Sequence, residues 1–213
     1  MTPTVNPRVA AATESIIGVG GGRGFLLGDG LRSYVVTAAH CLTQTLHGTK
    51  LPLPRPDALP SERTYPNLFG PLDEPATISA ECLFVDPIAD LAVLGAPMIG
   101  DEESDAFGEF MEERDTLRLG TIELKQSVVA WLLTLDGEWR RCTCEAMFDG
   151  RTLRMCDASI EEGMSGSPIL ADDGTAIGVV CMQWPDDIRA GLQPWLAKCF
   201  PGWLLSELRE REE

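Results

Sequence analysis

Short apolar runs rich in valine, isoleucine and threonine, separated by glycine, proline and aspartate, constrain the fold of this chain more than any other feature. Ser33-Tyr-Val-Val-Thr, Ile78-Ser-Ala-Glu-Cys-Leu-Phe-Val and Val128-Val-Ala-Trp-Leu-Leu-Thr-Leu are the clearest cases. Runs of this length and composition read as strands, because β-branched side chains pack well on a pleated surface. A mostly β chain follows. At 213 residues and 44% hydrophobic content it is long enough for one compact unit, and all-β barrels often reach that length as a single domain. No repeat of roughly 20–50 residues is visible, so a solenoid is excluded.

Three strings along the chain carry chemistry: Val-Val-Thr-Ala-Ala-His40-Cys, Asp90-Leu-Ala-Val-Leu and Gly163-Met-Ser165-Gly-Ser-Pro. They supply the imidazole, carboxylate and hydroxyl that acyl transfer needs. A serine hydroxyl is a poor nucleophile at neutral pH and requires a base within hydrogen-bond reach. His40 is the candidate base, and Asp90 the carboxylate that holds one imidazole tautomer and stabilises the imidazolium. Gly163 permits the turn that aims its own N–H and that of Ser165 at one point, where an oxyanion would sit. The only histidines, His40 and His47, both precede any plausible nucleophilic serine. An α/β-hydrolase, which runs serine, acid, histidine and wants Gly-x-Ser-x-Gly, is therefore excluded.

At these residues the chain resembles the chymotrypsin-like (trypsin-like) serine peptidases, and within them a bacterial intracellular branch with short loops and few or no disulfides. Gly24-Phe-Leu-Leu-Gly-Asp-Gly30, Phe84-Val-Asp-Pro and Gly174-Thr-Ala-Ile-Gly-Val-Val180 extend the resemblance, which covers residues 15–205. It implies an all-β fold of two six-stranded antiparallel β-barrels with a C-terminal helix, in a single domain over residues 1–213. The first barrel would span 15–110 with His40 and Asp90, the second 115–193 with Ser165, and the helix 194–210. The active site would lie in the cleft between the barrels. The implied activity is that of a serine endopeptidase acting on protein or peptide substrates through an acyl-enzyme, with no cofactor and no metal. A catalytically inactive peptide-binding module of the same fold is the alternative. By analogy with effector modules, a regulatory protein or a fused sensor domain would control it.

The resemblance also assigns a pocket. Ser159, six residues before the nucleophile, would lie at its floor, with Cys181, Met182 and Gln183 along its wall. Since Ser159 is not an acid, a strong preference for arginine or lysine is unsupported, although Glu161 and Glu162 flank the entrance. Zymogen-derived relatives place an aspartate before the nucleophile to capture a new N-terminal ammonium. Here that residue is Met164, whose thioether cannot hold one.

Each assignment has a competitor. His47 lacks the Thr-Ala-Ala-His-Cys setting, Ser167 is the less favoured nucleophile, and Asp86 sits in an Asp-Pro turn rather than against an apolar run. The net charge of −16 argues against nucleic-acid or anionic-membrane binding, both of which need a basic face, and favours basic partners. The N-terminal Met-Thr-Pro-Thr-Val-Asn-Pro-Arg lacks the basic start and apolar stretch of a signal peptide, which points to a cytoplasmic protein. Seven cysteines, an odd number, read as reduced and mostly buried, with Gly24-Phe-Leu-Leu where secreted relatives carry the disulfide partner of Cys41. Cys142, Cys144 and Cys156 lack the Cys-x-x-Cys pair of a zinc site and read as strand core.

Residues 51–75 hold seven prolines, too many for a central strand or helix, and are expected to form an irregular loop. The acidic stretch 101–115 is expected to form a solvated inter-lobe turn of helix that tucks Phe107, Phe110 and Met111 inward. Trp203, Leu204, Leu205 and Leu208 recur at amphipathic spacing, as in a helix packed on the second barrel.

Overall fold

The computed structural model describes residues 5–28, 32–43, 53–55, 57–181 and 192–208, and within them the strands form two antiparallel six-stranded sheets. Strands β1 (Ile16–Val19), β2 (Gly22–Gly28), β3 (Ser33–Ala38), β4 (Thr64–Pro71), β5 (Ile78–Asp86) and β6 (Leu91–Gly95) close into a barrel in the order β1-β2-β3-β6-β5-β4. Strands β7 (Ser127–Leu133), β8 (Trp139–Ala146), β9 (Thr152–Met155), β10 (Pro168–Ala171), β11 (Ala176–Val179) and β12 (Leu192–Pro194) run β11-β10-β7-β8-β9-β12. An antiparallel bridge between Gly178 and Trp195 draws the two ends of this second sheet together. The two-barrel, all-β architecture is the one expected.

Strand periodicity sorts the apolar residues between two kinds of core. Val35 of β3 turns into the first barrel with Val19, Leu26, Phe69 and Leu94. Its neighbours Tyr34 and Val36 turn the other way and meet Trp131, Leu133, Leu170 and Val179 of the second barrel. Both faces of β3 are thus buried, which is why its sequence is a continuous apolar run rather than an alternating one. The second barrel fills its own interior with Leu132, Cys144, Leu153, Ile169 and Ile177.

Two peripheral segments differ from expectation. Thr64–Pro71 is not loop but the strand that closes the first barrel, pairing with both β1 and β5. Two prolines are tolerated because Pro71 ends the strand, whereas Pro66 lies where the pairing with β5 is interrupted between Tyr65 and Phe69, next to Asn67 at φ +47°. At the C-terminus the helical segment is split by Phe200 and Pro201 into Leu196–Cys199 and Gly202–Glu207. It packs on the first barrel as well as the second: Tyr34 of β3 donates its hydroxyl to Glu207, Trp203 meets the Tyr34 ring edge-on, and Leu204 enters the core shared by the barrels. Trp203 itself stays 41% exposed.

The acidic segment does form a helix, Asp101–Glu112. Phe107 and Phe110 turn inward and set their rings edge-on to Phe69, at centroid distances of 5.6 and 5.2 Å, beside the buried Met111. Ahead of β1, the chain crosses the second barrel, where Asn6 donates to the Asp172 carbonyl at 2.6 Å and Thr13 accepts from Trp139 Nε1 at 3.0 Å. Among the described residues no helix is long and apolar enough to cross a membrane.

Candidate active site

Strand register brings His40 and Asp90 together. Strands β3 and β6 are antiparallel neighbours with Ala38 opposite Leu91. His40 lies just past the end of β3, in the tight turn Ala39–Thr43, and Asp90 just ahead of β6. The Ala39 N–H donates to the Asp90 carbonyl at 3.1 Å. Asp90 itself is left-handed, at φ +55°, a conformation that aspartate tolerates better than most residues. Its carboxylate turns back on His40 twice, accepting the backbone N–H on Oδ1 at 2.9 Å and facing Nδ1 with Oδ2 at 2.7 Å. A carboxylate can only accept, so the neutral ring carries its proton on Nδ1 and turns the Nε2 lone pair away from Asp90. Burial disfavours a charged imidazole here, but the bond to Asp90 and the adjacent Cys41 sulfur outweigh it and hold the His40 pKa above the ordinary 6.5.

Ser165 sits in the turn that leads into β10. The Met164 amide donates to Glu161 O at 3.1 Å, Gly166 to Val180 O at 2.7 Å and Ser167 to Met164 O at 3.0 Å. Among the described residues the amides of Gly163 and Ser165 have no acceptor, so the two donors expected to converge on an oxyanion are the two left over. Gly163 adopts φ +96° and Gly166 φ +87°, and a Cβ on Gly166 would stand 1.7 Å from the Arg23 carbonyl oxygen. Only glycine fits there. Met164 is buried in the second barrel, with its sulfur accepting the Glu161 N–H at 3.4 Å.

Cys41 joins the two halves of the site. Its sulfur is 3.9 Å from His40 Nε2 and 3.7 Å from the Ser165 carbonyl. The residue facing it on β2 is Gly22, whose Cβ would come within 2.8 Å of that sulfur, rather than the Gly24-Phe-Leu-Leu stretch. All seven cysteines are free thiols, Cys156 alone being exposed. Among the described residues no group of three or more ligating side chains could hold a metal ion.

The competing residues have other work. Asp86 Oδ1 accepts the N–H groups of Ile88 and Ala89, and Oδ2 pairs with Arg151 of the second barrel at 2.7 Å. Ser167 is fully buried, and His47 lies outside the described residues. Of the pocket residues, Ser159 is exposed and Cys181 is buried, its sulfur 3.4 Å from the Asp90 carbonyl. Met182 and Gln183 lie outside the described residues. Two participants escaped the sequence reading. The buried Gln193 accepts the Cys181 N–H at 2.5 Å, and the buried Arg23 donates its own N–H to the Ser165 carbonyl at 2.7 Å.

The family model for the trypsin-like peptidase domain matches residues 22–179. No curated protein matches the chain. Among solved structures, the active form of the Rv3671c protease from M. tuberculosis superposes with a TM-score of 0.55 at 18% identity, over 98% of this chain and 88% of that one. The inactive form gives 0.51 at 17% identity, over 100% and 98%. The serine endoprotease from Yersinia pestis gives 0.50 at 17%, over 99% of this chain and 67% of that one. At such identities these likenesses show a shared fold.

Proposed function

Because the chain belongs to the trypsin-like peptidase family, we propose that it cleaves peptide bonds within protein or peptide substrates through a triad of Ser165, His40 and Asp90. Ser165 Oγ attacks the scissile carbonyl carbon while its proton passes to His40 Nε2. The carbonyl oxygen, now an oxyanion, accepts from the amides of Gly163 and Ser165. Collapse of the tetrahedral intermediate breaks the C–N bond, and His40 returns the proton to the leaving amine. Water, deprotonated by the same imidazole, then releases the acid product from the serine ester. The observation that carries this reading is the double contact of Asp90 with His40, which directs Nε2, the atom that would take the proton, away from the carboxylate. Labelling with a fluorophosphonate tests it: covalent adduct on Ser165 is expected. An unlabelled protein that still binds peptides would instead be a binding module.

A base must be neutral to act, so an imidazole held above 6.5 puts the rising limb of kcat/KM above that pH. Replacing Cys41 by alanine removes one of the groups that raise it and should move the limb toward lower pH. A limb at or below 6.5 in the wild-type protein would contradict the assignment. The same pair stabilises the fold fully below pH 6.5, and that contribution fades as pH rises through the raised value.

Met164 has no means of capturing an ammonium, which supports control by a regulatory protein or an attached sensor domain rather than by N-terminal cleavage. Met164→Asp should not improve the enzyme. A carboxylate at a site only 1% exposed, among Leu132, Ile169 and Ile177, should cost on the order of several kcal/mol in a urea melt. An unchanged midpoint would show that the site accepts charge. The reduced cysteines support a reducing, cytoplasmic compartment, and the charge of −16 supports basic substrate segments.

A further inference from the structure

Arg23 is the most unusual buried group near the site. It leaves β2 with 4% of its surface exposed, and its guanidinium reaches the other barrel. Nη1 donates to the carbonyls of Leu133 and Thr134 at 2.9 and 3.1 Å, and Nη2 to Thr134 O at 3.2 Å. These acceptors are neutral, and burial lowers the Arg23 pKa against a through-space pull from Asp73. An arginine nevertheless stays charged. Its backbone is engaged as fully: the N–H holds the Ser165 carbonyl, the carbonyl accepts Thr37 Oγ1 at 2.7 Å, and that same carbonyl sits where a Gly166 side chain would begin.

One residue therefore grips the nucleophile turn with its main chain and the end of β7 with its side chain. The end of β7 matters because Leu135 follows Thr134 directly. The Leu135 Cδ2 lies 3.5 Å from where a Cβ of Gly163 would be, so this side chain backs the Gly163 turn. We propose that Arg23 is a positioning residue of the oxyanion site, holding the turn 163–166 against the β7 end so that the Gly163 and Ser165 amides stay aimed at one point. Its effect falls on the tetrahedral species, because only there does the negative oxygen need both amides at full strength.

This inference rests on Ser165 being the nucleophile, so the test separates the two. Arg23→Met keeps an unbranched apolar stem but removes every side-chain donor, and Arg23→Lys restores a charge and some donors. Expected for Arg23→Met is a fall of about 100-fold in kcat, the lower end for losing one oxyanion donor, with KM within about threefold. Affinity for a peptide boronate, which forms a tetrahedral adduct on the serine, should fall in parallel with kcat. Arg23→Lys, which restores the charge but not the planar fork, should recover only part of the loss and leave kcat about tenfold below wild type. If Arg23→Met does not fold, the lysine variant still tests the proposal through a kcat and boronate affinity that fall together at constant KM. Rates per folded molecule that stay within twofold of wild type in the lysine and methionine variants would overturn the positioning role, as would a loss confined to KM. A wild-type protein that takes up no fluorophosphonate would overturn the peptidase reading instead.

Discussion

Ser165→Ala and His40→Ala should each reduce kcat on an unfolded protein substrate by about 10⁶-fold, and the double variant should be scarcely worse than either. The two residues perform one proton transfer, so removing either partner removes the step. Ser165→Ala should keep the wild-type melting behaviour to within a small shift, since its hydroxyl fills neither core, whereas His40→Ala should also lose the stability that the pair with Asp90 contributes. Turnover in Ser165→Ala within a few orders of magnitude of wild type would dismiss Ser165 as nucleophile. Ser167 would then be the residue to replace next, although its hydroxyl is fully buried and unpartnered among the described residues.

The second large effect belongs to Asp90→Asn, for which a loss of about 10⁴-fold in kcat is expected. Asparagine tolerates the left-handed backbone at this position, so the turn should survive. Its carbonyl oxygen would keep accepting the His40 N–H in place of Oδ1, leaving its amide NH₂ to face the ring where Oδ2 now sits at 2.7 Å. Two donors cannot share that contact. The ring must move its proton to Nε2, where it blocks transfer from the serine. Asp86→Asn serves as the comparison, because its carboxylate caps a turn and meets Arg151 instead of His40. A slow Asp86 variant beside a fast Asp90 variant would exchange their roles.

The proposed triad was legible because each member lies near a strand end within a short, distinctive string, and strand register converts two of those strings, the ones holding His40 and Asp90, into proximity. His40 and Asp90 are fifty residues apart in sequence, yet each lies within two residues of a strand end in a paired ladder. The helix over 101–112 was equally readable, since Phe107, Phe110 and Met111 mark its buried face. Pro66 misled for a physical reason: proline is excluded from a continuous ladder but not from an interruption, and no local signal marks where pairing lapses. Arg23 was silent because an arginine between two glycines looks like a solvated turn residue. Its burial depends on carbonyls contributed by Leu133 and Thr134, more than a hundred positions away. Gln193 was silent likewise, since its partner is a backbone amide of another strand.

The division of the triad between barrels has a consequence for the nascent chain. Synthesis proceeds from the N-terminus, and domains fold as units in that order as the chain emerges. All six strands of the first barrel end by Gly95, so the imidazole and its carboxylate can pair while the serine has yet to be translated. The segment ahead of β1 must wait too, because Asn6 and Thr13 find their partners at Asp172 and Trp139. The closing contacts come last, when Leu204 enters the core shared by the barrels and Glu207 reaches Tyr34. A nascent chain in which Ser165 has yet to be made thus lacks the proposed nucleophile, so the proposed cleavage cannot begin before the second barrel is translated.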